Sequence, residues 1–224
     1  MTSHMHEISA LQRLLTWLSP AFPVGAFAYS SGLETAIAAK TVYDAATMRN
    51  WLEAGLRHGN GRTDAIILAH SHQAFDQRQD LQSLADLCIA LTPASQRVNE
   101  LLTIGDAFVT AASTWPVKTV RDLPSPCPYP VAVGFFAAEH AIPPEPTLTA
   151  FLTAHSHAQI SVAIRLIPMG QTTGLQVLAD LEPCIADCAA LAARTPLDDI
   201  GTISYAADIA AMAHETLYSR IFRS

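Results

Sequence analysis

Charge is scarce in this chain. Only 15% of its 224 residues are Asp, Glu, Lys or Arg, and 13 Lys and Arg stand against 20 Asp and Glu, for a net charge of −7. Neutralising phosphates requires clustered cations, so this balance argues against nucleic acid as a partner and against an anionic membrane surface. Long apolar runs are missing as well, and nothing approaches the roughly 20 uncharged residues that span a bilayer. The start, "MTSHMHEISALQRLLTWL", lacks a basic lead and is interrupted by Gln12 and Arg13, so no secretory signal is expected and the cytoplasm is the expected location.

Catalytic signatures are equally thin. There is no GxSxG elbow, and the glycines match neither a phosphate-binding loop nor a dinucleotide fingerprint. His214-Glu215 begins like the zinc motif HExxH, but position 218, where the second histidine belongs, is Tyr218. Asp198, Asp199 and Asp208 are available for acid–base work, yet Asp198 sits in "TPLD", which reads as a capped helix start. The expectation is a protein without catalysis, cofactor or bound metal of its own. Three His-x-His pairs, His4/His6, His70/His72 and His155/His157, point about 200° apart on a helix and cannot share a metal by themselves. The four cysteines form no CxxC pair. Cys184 and Cys188, one helical turn apart, are either a thiol clamp for a metal or two buried, reduced side chains.

What the chain does have is apolar bulk, 50% of its residues, arranged with the helical period and rich in Ala and Leu, while alternating β-branched runs are few. The fold class is therefore all-α, a single-domain bundle of about nine or ten helices. Expected helices cover about Ser9–Leu18, Ser31–Ala39, Asp44 (as N-cap) to His58 with Met48, Leu52 and Leu56 on one stripe, Arg62 or Thr63 onward, and Leu81–Leu91. Ser95 is expected to cap a helix that carries Val98, Leu101, Leu102, Ala107 and Phe108 towards Trp115. After it come Val131–His140, Leu148–Ile167, Gly174–Ala192 and Ser204–Tyr218. The proline cluster "LPSPCPYP", Leu123–Pro130, reads as an inter-helix loop in preference to a domain linker.

Two stretches are not accounted for by a helical core. "SPAFPVGAFAYSSGLE", Ser19–Glu34, has the makings of a turn in Pro20, Pro23 and Gly25, but loops seldom carry Phe22, Phe27 and Tyr29. The ending "HETLYSRIFRS", His214–Ser224, interleaves Tyr218, Ile221 and Phe222 with Arg220 and Arg223, where a terminus would ordinarily fray. Either this tail docks on its own domain beside the Phe22–Tyr29 loop, or it docks on something else.

Both stretches, with "RLIPMGQTTG" at Arg165–Gly174 between them, resemble the urease accessory protein F (UreF) family, whose signatures read SPxxPvGgFsySxGLE, RLipLGQ and DiasmrHExxySRLFxS. Gly25, Tyr29, Gly32, Leu33, Glu34, Gln171, His214, Glu215, Tyr218, Arg220, Phe222 and Arg223 match. Ala26, Ala28, Ala211 and Ala213 depart from the pattern, and "SQRVNE", Ser95–Glu100, only loosely resembles the family's SREL-type segment, so no role is assigned there.

The resemblance extends over essentially the whole chain. It implies an all-α, non-catalytic protein that forms a homodimer, binds the accessory protein UreD (or UreH), and through it recruits the GTPase UreG for nickel-dependent assembly of the metallocentre of apo-urease. It also implies that the C-terminal segment becomes ordered against UreD/UreH. On this view Phe22, Gly25, Phe27, Tyr29, Glu34, Gln171, His214, Glu215, Tyr218, Arg220, Ile221, Phe222 and Arg223 belong to the partner interface. Tyr218, Ile221 and Phe222 would be its apolar anchors, and Arg220 and Arg223 would make its charge-assisted bonds. Two other classes stand beside this one: a metal-binding enzyme or carrier built from the nine histidines and Cys184/Cys188, and a helical module for some other partner.

Overall fold

The computed structural model describes residues 2–77 and 80–224, and among these there are ten α-helices and no strand. They are α1 (Thr2–Trp17), α2 (Leu33–Ala38), α3 (Ala45–His58), α4 (Asn60–Gln77), α5 (Leu81–Ala90), α6 (Ser95–Ala112), α7 (Tyr129–Glu139), α8 (Pro144–Leu166), α9 (Gln171–Ala192) and α10 (Tyr205–Ala213). The all-α bundle read from the apolar rhythm is what forms. Among the described residues no helix is long and apolar enough to cross a membrane.

At the centre α4 packs along α7. Ala65 to Ala69 and Pro130 to Ala138 are buried without a polar face between them, as expected for helices enclosed on all sides. The two axes come close because Gly134 has no side chain. A Cβ there would lie 2.4 Å from the Leu68 carbonyl oxygen, and the Ser71 hydroxyl donates across the gap to the Val131 carbonyl at 2.7 Å. Around this pair α3, α8 and α9 close one side and α6 packs on α7, while α2 bridges α8 and α10.

Local chemistry explains most boundaries. Asp44 and Thr47 form a capping box at the start of α3, and Met48, Leu52 and Leu56 are buried as the stripe requires. The proline cluster folds onto α6 as a loop: Asp106 accepts from the Cys127 amide at 2.9 Å, and Gly105 leaves room for the Cys127 carbonyl.

Several boundaries differ from the sequence expectation. Gly59 alone separates α3 from α4, since Asn60 already starts the next helix. Ser95 is the first residue of α6, not its cap, and its hydroxyl bonds Glu215 instead. On α6, Leu101 and Phe108 face inward as expected, but the buried face also takes in Arg97, Glu100 and Ile104, leaving Val98, Leu102 and Ala107 only half-buried. The last helix stops at Ala213, followed by one 3-10 turn over His214–Thr216. "TPLD" opens only a 3-10 turn, Leu197–Asp199.

Candidate functional site

The N-terminal loop is built to be read from two sides. Gly25 sits in the left-handed region (φ 74°), which turns the chain so that Phe22 and Tyr29 go inward while Phe27 stays 69% exposed. Phe22 stacks obliquely against Phe108, with ring centroids 5.6 Å apart. At the other end Gly32 (φ 85°) permits a closer approach than any other residue would. A Cβ there would be 2.7 Å from the Ala211 amide nitrogen, so α10 seats directly on the loop.

That seating brings the C-terminal segment onto Glu34. Its buried carboxylate accepts from His214 Nε2 at 3.0 Å and from the backbone N–H groups of Ile221 at 2.7 Å and Phe222 at 3.0 Å. The last residues then run beside the loop: the Arg223 amide donates to the Ala28 carbonyl at 2.8 Å, and the Ser30 amide and hydroxyl both donate to the Ser224 carbonyl. One buried carboxylate thus satisfies a turn and two consecutive amides that a loose end would leave to water.

Helix α6 supplies the other wall. Its Gln96 amide, turned so that every neighbour is matched, donates to His214 Nδ1 at 2.8 Å and to the Arg223 carbonyl at 3.2 Å, and accepts from Arg220 Nη1 at 3.0 Å. With Gln96 donating to Nδ1, the proton of the imidazole lies on Nε2, facing Glu34. One turn on, Glu100 accepts from the hydroxyls of Ser31 and Ser224. Phe222 is 5% exposed and lies under the Arg165 guanidinium, 5.8 Å from the ring centroid.

The loop 19–34, Arg165 and the tail 214–224 therefore meet in one place, and the candidate residues fall into two groups. Phe22, Tyr29, Glu34, His214 and Phe222 are buried within the chain's own fold, with Gly25 shaping the loop. Tyr218 is fully exposed, Ile221 is 71% exposed, and Phe27, Glu215, Arg220 and Arg223 also reach solvent. Gln171 opens α9 and is exposed; from its segment it is Arg165 that touches the tail. Tyr205, Ile209 and Met212 on α10 are exposed as well.

Gln96, Arg97, Glu100 and Ser31 have roles here that no motif indicated. The available signal was an anomaly: two charges three residues apart, Arg97 and Glu100, on the apolar stripe of α6. Charges in such positions are seldom buried unless they have partners. Arg97 contacts Glu100, approaches Asp64 at 3.7 Å and donates to the Ser31 hydroxyl at 3.1 Å. Burial works to lower the pKa of Arg97, but Glu100 and Asp64 outweigh it and the net change is upward.

Burial pushes Asp64 up to about 6, with Arg97 opposing. His155 is pushed down to about 4 by burial and by Arg97. The two have opposite signs in stability. Asp64, raised above its unfolded value of 3.8, adds stability as pH falls through about 6. His155, depressed below 6.5, removes it as pH falls from 6.5 towards 4. Each amounts to on the order of 1–2 kcal/mol between pH 7.5 and 5, and they offset. In urea titrations at those two pH values, Asp64→Asn is expected to lose stability on acidification relative to the parent protein, and His155→Gln to gain it. Parallel curves for all three would show that neither group is perturbed.

The other candidates are occupied locally. His6, His70 and His72 each place Nε2 on a backbone carbonyl, of Ala141, Thr195 and Ile142 respectively; the side chain of His4 lies outside the described residues. Cys184 and Cys188 are buried free thiols with sulfurs 4.0 Å apart. Among the described residues no group of three His, Cys, Asp or Glu side chains is placed to hold a metal ion.

Comparison with known proteins bears on the whole chain. The family profile described as UreF matches residues 42–182. Over 217 residues the sequence is 46% identical to a protein of Agrobacterium fabrum named urease accessory protein UreF, covering 97% of both chains. Proteins of the same name from Rhizobium etli and Rhodopseudomonas palustris (strain BisA53) are 44% and 46% identical, over 99% and 96% of this chain and 100% and 94% of theirs.

Proposed function

The chain belongs to the UreF family of urease accessory proteins, and on that premise we propose that it serves urease maturation in the cytoplasm as a non-catalytic, homodimeric scaffold. It binds UreD/UreH and so recruits the GTPase UreG for nickel-dependent assembly of the metallocentre in apo-urease. GTP hydrolysis then belongs to UreG and urea hydrolysis to urease, and this chain contributes differential binding among states of the complex.

The observation that carries the reading is the division of labour in the C-terminal segment. Glu34, Gln96 and Glu100 hold its backbone and His214, while Tyr218 and Ile221 stand in solvent. Exposed apolar and aromatic side chains on a fixed backbone are already ordered, so a partner gains their burial without ordering the tail first. Arg220 and Arg223 flank them as a polar rim.

The test is affinity capture with purified UreD/UreH, followed by UreG. The parent chain is expected to retain both, and Tyr218→Ala/Ile221→Ala to bind UreD/UreH at least ten-fold more weakly with an unchanged unfolding midpoint, because both side chains are exposed. Undiminished capture by the double variant would remove the tail from the interface. Failure of the folded parent chain to retain UreD/UreH would overturn the scaffold role.

A further inference from the structure

Between the N-terminal loop, α6 and α8 lies a cavity of about 170 Å³, comparable to the cavity of about 150 Å³ that takes up one benzene in an engineered core. Phe22, Leu101, Tyr129 and Phe151 provide apolar walls, and Asp64, Arg97, Glu100 and His155 provide a polar end. An apolar pocket with a few convergent polar groups is the usual form of a small-molecule site.

The polar end is incompletely matched. Glu100 is engaged by Arg97, Ser31 and Ser224. Asp64, only 8% exposed, has no hydrogen-bond donor among the described residues; its cationic neighbour there, Arg97 Nη2, is 3.7 Å away, beyond hydrogen-bonding length. One arginine faces two carboxylates, so the site carries an excess negative charge, and that charge sits on the carboxylate with no donor. His155 lines the same cavity, with no hydrogen bond of its side chain among the described residues. An anion would meet Asp64 and Glu100, and a plain hydrocarbon would leave Asp64 as it is. The apolar walls offer nothing to the water shell of an inorganic ion.

We infer that this cavity binds a small organic ammonium ion, its N–H groups on Asp64 and His155 and its apolar body between Phe22, Tyr129 and Phe151. The apolar walls take up the body of the ion, and a desolvated charge-assisted hydrogen bond fixes its orientation. Because His155 is held neutral, it accepts a hydrogen bond and adds no opposing charge. The binding is independent of any role in urease maturation.

Calorimetric titration of the full chain at pH 7.5 with benzylamine, benzoate and toluene tests it. Benzylamine is expected to bind once per chain, at least ten-fold more tightly than either of the others, and Asp64→Asn to erase that preference while leaving toluene uptake unchanged. Benzoate or toluene binding as well as benzylamine, or no benzylamine binding at millimolar concentration, would overturn the proposal. Should Asp64→Asn weaken all three equally, the variant has disturbed the cavity and the ranking on the parent chain decides.

Discussion

Glu34→Ala is expected to free the C-terminal segment from the fold. The substitution removes the acceptor for three donors at once, the Nε2 of a fully buried His214 and the amides of Ile221 and Phe222. Hydrogen bonds to a buried charge contribute about 1.5–3 kcal/mol each but are not additive, and donors left without a partner are costly. The segment has a cheaper alternative in leaving for water. The global loss is therefore capped at the free energy of docking the tail, and the larger signal is local. Trypsin should cut after Arg220 and Arg223 at least ten-fold faster in Glu34→Ala than in the parent chain, and UreD/UreH capture should fall with it, because Tyr218 and Ile221 are no longer held in place. Glu34→Gln keeps an acceptor oxygen and should fall between the two. Equal tryptic rates in all three proteins would mean that the tail is held by Phe222 and the Ser30–Ser224 pairing alone.

Arg97→Met should be the most damaging single change to the body of the protein. It leaves Asp64 and Glu100 facing each other in a buried site with no cation between them. Removing one partner of a buried ion pair typically costs about 3–5 kcal/mol, most of it the uncompensated charge that stays behind. One carboxylate must then take up a proton. Without Arg97, Asp64 titrates higher still, and its protonation relieves the repulsion. The deficit should accordingly be largest at pH 7.5 and shrink towards pH 5, and the double variant Arg97→Met/Asp64→Asn should recover part of it at pH 7.5. Urea unfolding of the parent chain, Arg97→Met, Asp64→Asn and the double variant at both pH values measures this. A deficit independent of pH, or a double variant no better than Arg97→Met, would locate the damage in lost packing of the arginine stem and not in charge.

These two residues differ in how far they could be read in advance. Glu34 stands in the segment Ser19–Glu34, which carried the family likeness, so its importance was visible although its partners were not. Arg97 stood in "SQRVNE", where the likeness was loose and no role was assigned. The contradiction between its charge and its apolar neighbours Leu101 and Phe108 was present in the sequence, but periodicity says only that a charge is misplaced, not what lies opposite it.

From the sequence alone came the helical class, the cap at Asp44, the stripe Met48, Leu52 and Leu56, and the family, because these depend on neighbours within a few residues or on short motifs. For the same reason the local pattern carries the last helix to Tyr218, past its observed end. Nothing local breaks it, and it stops at Ala213 because His214 is taken by Glu34, 180 residues earlier. Which aromatic residues face inward was likewise decided by packing: Phe22 and Phe222 are covered while Phe27 and Tyr218 are not, although composition treats all four alike. Burial and hydrogen-bond satisfaction across separations such as Ser31 to Glu100 or Glu34 to Phe222 leave no periodic trace in the chain. Only when α10 settles on Gly32 do the loop, α6 and the tail become one surface.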